Sequence, residues 1–129
     1  MATIDVKIEG SLLTMSVNGD LAAEEVIAAV KEFYPNGMVK DVIWEFSNGS
    51  MQSISRQGFE AIAKATKETL ASGVRHGGKT VFVGNAAVEY GLLRMYTAIA
   101  ELTGVSILYN VFKTIEEARS WIEHDQPTV

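Results

Sequence analysis

The chain has 129 residues and a net charge of −5, with apolar residues at 47% and charged ones at 21%, the balance of a globular domain. An acidic chain with no basic stripe has nothing to neutralise a row of phosphates, so nucleic acid is excluded as a partner. Without a cysteine there is no disulfide, no thiolate metal site and no cysteine redox chemistry.

The start, MATIDVKIEG, alternates charged and apolar residues and is no signal-peptide core. The longest uncharged apolar run, 102–112, falls well short of the roughly 18–20 residues of a membrane helix, so the chain is not expected to span one. The expectation is one soluble, cytoplasmic domain over 1–125, with a frayed tail over 126–129.

Ile4, Val6 and Ile8 alternate with Asp5, Lys7 and Glu9, which predicts a strand with one wet face. Gly10-Ser11 reads as a turn, and Leu13, Met15 and Val17 alternate up to Asn18-Gly19, completing a hairpin. Asp20 is a suitable N-cap for a helix that buries Val26, Ile27, Val30 and Phe33 and stops at Pro35 and Asn36-Gly37. An apolar strand over 42–46 follows, then a polar turn, Ser47-Asn48-Gly49-Ser50. Phe59, Ile62, Ala63, Thr66 and Leu70 next recur at helical spacing.

Ser72-Gly73 closes that second helix, and 80–83 is a short apolar strand. Gly84-Asn85 turns the chain into a third helix whose core stripe reads Val88, Leu92, Met95, Tyr96, Ile99 and Leu102. The run 106–112 is apolar at nearly every position, as in a strand covered on both faces. Thr114 and Glu117 form a capping box for a last helix burying Ile115, Ala118 and Trp121 or Ile122. The order β-β-α-β-α-β-α-β-α predicts an α/β fold: a mostly parallel five-stranded sheet, an N-terminal antiparallel hairpin and four flanking helices.

In parallel sheets the loop after a strand's C-terminal end is the usual place for function. Here that loop holds hydroxyls and amides, with Glu45 the one carboxylate beside it; Glu45 is read as capping or pairing locally, the other reading being catalysis. Ser53 and Ser55 are candidate N-caps, the other reading being phosphoacceptance. Arg56, Glu60, Lys64 and Glu68 form an i, i+4 ladder, read as a solvated face or as a docking face for a charged partner.

Residues 73–80 fit the phosphate-loop pattern G-x-x-x-x-G-K-T. The chemistry needs that loop to follow a strand and open a helix, whereas here a helix precedes it and Lys79-Thr80 lead into a strand. Lys79→Ala is then expected to leave nucleotide affinity at background and stability little changed. His76 and His124 lack metal-ligand spacing, and His124, in the last turn of the last helix, suits the helix dipole. Gly91 interrupts a strong helical pattern, which predicts close approach of helix and sheet backbone; the other reading is a notch for a ligand or a partner's side chain.

Two segments, Tyr90-Gly91-Leu92-Leu93-Arg94-Met95-Tyr96 and Val111-Phe112-Lys113-Thr114-Ile115-Glu116-Glu117-Ala118-Arg119-Ser120-Trp121-Ile122, together with the order of elements, resemble the STAS domain family. The resemblance is to its stand-alone, SpoIIAA-like branch, sometimes grouped with Sec14-type lipid-binding domains. It implies an anti-sigma-factor-antagonist fold and a regulatory role exerted through another protein. Antagonists of this family carry Asp-Ser-Ser-Gly at the start of the second helix, and the second serine takes the phosphate. Matched on Gly58, this chain has Ser55-Arg56-Gln57, so Gln57 stands at the phosphoacceptor position and the usual switch is expected to be absent.

The leading expectation is a non-enzymatic, STAS-like interaction domain that works through Ser50, Ser53, Ser55, Arg56, Gln57, Gly84 and Asn85, with no metal and no cofactor. Its partner is another protein, or itself as a homodimer. The rival is a carrier of a small or lipid-like ligand held between sheet and helices; a third class is an enzyme using Glu45.

Overall fold

The computed structural model describes residues 2–124. The tail expected to fray therefore lies outside the described residues. The elements run β1 (Thr3–Glu9), β2 (Leu12–Asp20), α1 (Ala23–Phe33), β3 (Asp41–Ser50), α2 (Arg56–Thr69), β4 (Gly78–Val83), α3 (Ala87–Glu101), β5 (Ile107–Phe112) and α4 (Ile115–His124). A single 3-10 turn, Leu70–Ser72, extends α2 before Gly73 closes it.

The sheet order is β1-β2-β3-β4-β5, antiparallel between β1 and β2 and parallel elsewhere, as the alternation of helices and strands requires. Helices α1, α2 and α3 cover one face, over a core of Leu13, Met15, Trp44, Phe46, Phe59 and Leu93. On the other face α4 seals Ile43, Val81 and Val83 with Ala118, flanked by half-buried Ile115, Trp121 and Ile122. The larger core is aromatic. Tyr96 sits between Phe82 (5.5 Å, edge-on) and Phe59 (5.7 Å), and the Trp44 indole N–H donates to the Tyr34 hydroxyl at 2.9 Å.

Several boundaries differ from expectation. The turn predicted at 47–50 is strand: Asn48, Gly49 and Ser50 pair with Asn18, Gly19 and Asp20 after a register shift that leaves one extra residue on β3. Gly49 is there because backbones meet, since a Cβ would lie 2.7 Å from the Val17 carbonyl oxygen. Asp20 is accordingly the last residue of β2 and not a cap. The N-cap of α1 is Ala22, whose N–H donates to the Glu25 carboxylate at 2.8 Å. Within α1, Val26, Ala29 and Val30 are buried, while Ile27 and Phe33 are half-buried.

The third helix faces inward through a different stripe. Its buried residues are Glu89, Leu93, Tyr96 and Ala100, whereas Val88, Met95 and Leu102 are 60%, 39% and 86% exposed. Leu92 and Ile99 are half-buried at the border. The helix carries two apolar stripes, and periodicity alone does not say which faces the sheet. Strand β5 is an edge strand, so Leu108 is exposed where cover on both faces was expected. Val6 and Ile8 of the other edge strand are partly exposed as well.

Gly91 is not a close-approach glycine, because among the described residues nothing lies within 4 Å of the position its Cβ would take. Gly91→Ala should therefore raise stability by about 0.5–1 kcal/mol through helix propensity, a gain of a few degrees in thermal midpoint. A lower midpoint measured by calorimetry on dilute protein would contradict the open space.

Candidate functional site

The C-terminal end of β3 leads into a short buried-and-exposed loop. Met51 and Ile54 point into the core and close a turn through the Ile54 N–H to the Met51 carbonyl (3.1 Å), while Gln52 and Ser53 are exposed. Ser50 is tied on both sides. Its carbonyl accepts from the Leu21 N–H at 2.8 Å, and its hydroxyl accepts from the Gln52 N–H at 3.0 Å.

Ser55 is the N-cap of α2, its hydroxyl accepting the Gly58 N–H at 3.1 Å. Ser53 does not cap. Arg56 and Gln57 stand exposed in the first turn, and Arg56 meets Glu60 at 3.5 Å, an exposed pair worth about 0.2–1 kcal/mol. Of the expected ladder this is the ion pair that forms. No acidic residue occupies the first turn of α2, so its positive end and Arg56 together favour an acidic neighbour.

Gly84 follows β4 and is buried, its N–H donating to the Phe112 carbonyl at 3.0 Å, while Asn85 is exposed. The two halves of the surface are joined by a residue that sequence reading passed over. Glu89, 3% exposed, accepts the Met51 N–H at 2.9 Å from inside the first turns of α3. A Cβ on Gly84 would lie 2.8 Å from Leu93 and 3.4 Å from the Glu89 stem, so glycine makes room for this contact. The available signal was a carboxylate among apolar residues at the spacing of Leu93, Tyr96 and Ala100. It reads as polar surface until the helix is docked.

Glu89→Ala should cost about 1–3 kcal/mol, because the buried Met51 N–H loses its acceptor. Amide exchange at Met51 should accelerate, whereas Glu89→Gln, which keeps a carbonyl oxygen, should largely preserve protection. Unchanged exchange at Met51 in Glu89→Ala would remove this positioning role.

Glu45 stands elsewhere. It projects from the sheet's other face, beside Asp5, Lys7, Thr14, Ser16 and Arg119. Its carboxylate accepts from the Ser47 N–H at 3.1 Å and from the Ser47 hydroxyl, the local pairing expected of it. Lys79 is buried in β4, and its ammonium donates to the Trp121 and Ile122 carbonyls at 3.0 and 2.9 Å, capping the end of α4 over the Trp121 ring. The phosphate-loop match is thus a helix-to-strand turn, and Lys79 is a stability residue, contrary to the expected small effect of its removal. His76 is exposed in that turn, and the side chain of His124 lies outside the described residues. Among the described residues no cluster of three or more His, Asp or Glu could hold a metal ion, and no helix is long and apolar enough to cross a membrane.

Between the sheet and the three helices lies a cavity lined by Tyr34, Trp44, Tyr96 and Tyr109 among others, with free space of about 10 Å³, room for about one water.

No family model and no curated protein matches this chain. Solved structures do. The anti-sigma factor antagonist SpoIIAA in its unphosphorylated form is similar over 95% of this chain and 100% of that one, with a TM-score of 0.57 at 14% identity. An anti-sigma factor antagonist from Mycobacterium paratuberculosis is similar over 95% of both chains, with a TM-score of 0.61 at 17% identity. The chain has the STAS-like, SpoIIAA-like fold.

Proposed function

We propose that this chain is a non-enzymatic regulatory domain that binds another protein through the loop and helix start at 50–57 and the adjoining Gly84-Asn85 turn. The observation that carries the reading is the Glu89 contact to Met51, which pins an exposed polar segment on a rigid base. The exposed groups are Ser53, Ser55, Arg56, Gln57 and Asn85, a set suited to hydrogen bonding and to an acidic partner segment. The likeness to anti-sigma factor antagonists supports a protein as the partner class. The setting would be cytoplasmic, as for a regulator of that kind.

The usual serine switch is read as absent, because Gln57 offers no hydroxyl and the Ser55 hydroxyl is engaged as a helix cap. Incubation with an anti-sigma-factor kinase and ATP should leave the mass unchanged; stoichiometric phosphate on Ser55 would reverse this point. For the surface itself, a photo-crosslinker placed at Gln57 or Asn85 should capture a protein in cells that one at Lys7, on the opposite sheet face, does not. Capture from Lys7 alone would move the surface and end the proposal.

The carrier reading has less support, since the cavity holds about one water and a lipid-like ligand would need its aromatic lining to open. Native mass spectrometry of freshly purified protein should show the bare chain. A stoichiometric small-molecule adduct would put the carrier first.

A further inference from the structure

The outer stripe of α3 has a stricter pattern than exposure alone requires. Val88, Gly91, Met95, Ala98 and Leu102 are spaced three, four, three and four residues apart, and every one of them is exposed. That is an a/d heptad seam, the repeat by which one helix pairs with another. Large residues fill the three a positions and small ones the two d positions. Among the described residues nothing lies within 4 Å of a Cβ placed at Gly91, which leaves a notch in the stripe.

We propose that this seam pairs antiparallel with the same seam of a second copy of the chain. Orientation follows from size and charge. In a parallel pair a faces a and d faces d, setting Gly91 against Gly91 and leaving voids between bulky layers. In an antiparallel pair a faces d, so Leu102 fills the partner's Gly91 notch and Met95 lies on the partner's Ala98. Arg94 and Glu101 lie seven residues apart on one flank, both exposed. Antiparallel pairing sets Arg94 against the partner's Glu101, twice, because the two-fold axis repeats the contact. The half-buried Leu92 and Ile99 meet in the same way on the other flank.

A 15-residue helix is about 22 Å long, so one helix seam is a small contact beside the roughly 1,200–2,000 Å² of a standard interface, and the dimer is weak. Its consequence is geometric. The Asn85 ends of the two helices point in opposite directions, which leaves the proposed binding surface of each copy free and makes the pair bivalent. The dimer does not rest on that surface having a partner.

Sedimentation of the full chain between about 5 and 500 μM tests it. The weight-average mass should rise with concentration from 14.0 kDa toward twice that. Leu102→Glu removes the side chain that enters the notch and, because Leu102 is 86% exposed, should weaken association about tenfold or more with no loss of thermal midpoint. Glu101→Arg should weaken it comparably, and the exchange Arg94→Glu with Glu101→Arg should restore it to within about threefold. A mass fixed at 14.0 kDa across the range overturns the proposal. So does association indifferent to Leu102→Glu, or a double exchange that fails to restore it.

Discussion

Arg75→Met should lower unfolding stability by roughly 2–4 kcal/mol, more than any surface substitution in this chain. Arg75 is 5% exposed, and among the described residues no salt bridge pairs it. Its guanidinium instead donates to the Lys40 carbonyl (3.0 Å), the Lys79 carbonyl (2.9 Å) and the Thr80 hydroxyl (2.8 Å), and lies over the Tyr34 ring at 4.6 Å. One side chain thereby ties the starts of β3 and β4 to the end of α1. Burial pulls the guanidinium's pKa down, opposed chiefly by Tyr34, Tyr109 and Asp41.

Methionine keeps the apolar stem and loses every donor, while one relieved cost limits the damage. The relieved cost is the buried charge, whose Nη1 lacks a hydrogen-bond partner among the described residues; the left-handed backbone at φ 60° costs methionine as much as arginine. Arg75→Lys should recover little, since an ammonium cannot span three acceptors in a plane. Urea titration of both variants measures this. A change below about 1 kcal/mol in Arg75→Met would mean the network is ornamental.

Alkaline pH should unfold this protein early. Burial raises the pKa of Tyr34, Tyr96 and Tyr109 above the usual value near 10. Below pH 10 each is protonated in both folded and unfolded chains, so the full stability is present. Above it the unfolded chain releases protons that the folded one retains, and stability falls until the folded groups titrate too. Each tyrosine removes about 1 kcal/mol between pH 10 and 11, rising toward about 1.4 kcal/mol per pH unit above that, so three remove roughly 3 kcal/mol over this first unit. Stability of the native chain and of Tyr109→Phe, compared across that range, should differ in slope by about one proton. Equal slopes would show that Tyr109 is not held protonated. Tyr34→Phe is the less clean probe, because it also strips the acceptor from the Trp44 indole N–H.

By itself the sequence determined the order of elements, the parallel sheet with its antiparallel hairpin, and the inward faces of α2 and α4. Those follow from short-range periodicity: Phe59, Ile62, Ala63 and Thr66 make a single stripe, and Thr114 with Glu117 makes a cap within one turn. The exposed loop and helix-start residues Ser53, Ser55, Arg56 and Gln57 were legible as polar surface for the same local reason. Only the tertiary structure decided what depends on partners far along the chain. Asn18-Gly19 and Asn48-Gly49 look like two turns and are two paired strand ends, because the bulge that aligns them needs both strands in place. Arg75 and Lys79 lie in and just after a helix-to-strand turn, yet each also reaches a carbonyl more than thirty residues away in the chain. Helix α3 offers two apolar stripes of similar quality, and the sheet chose the one containing Glu89. A buried carboxylate needs a donor to meet it, and no local pattern records that the Met51 N–H supplies one.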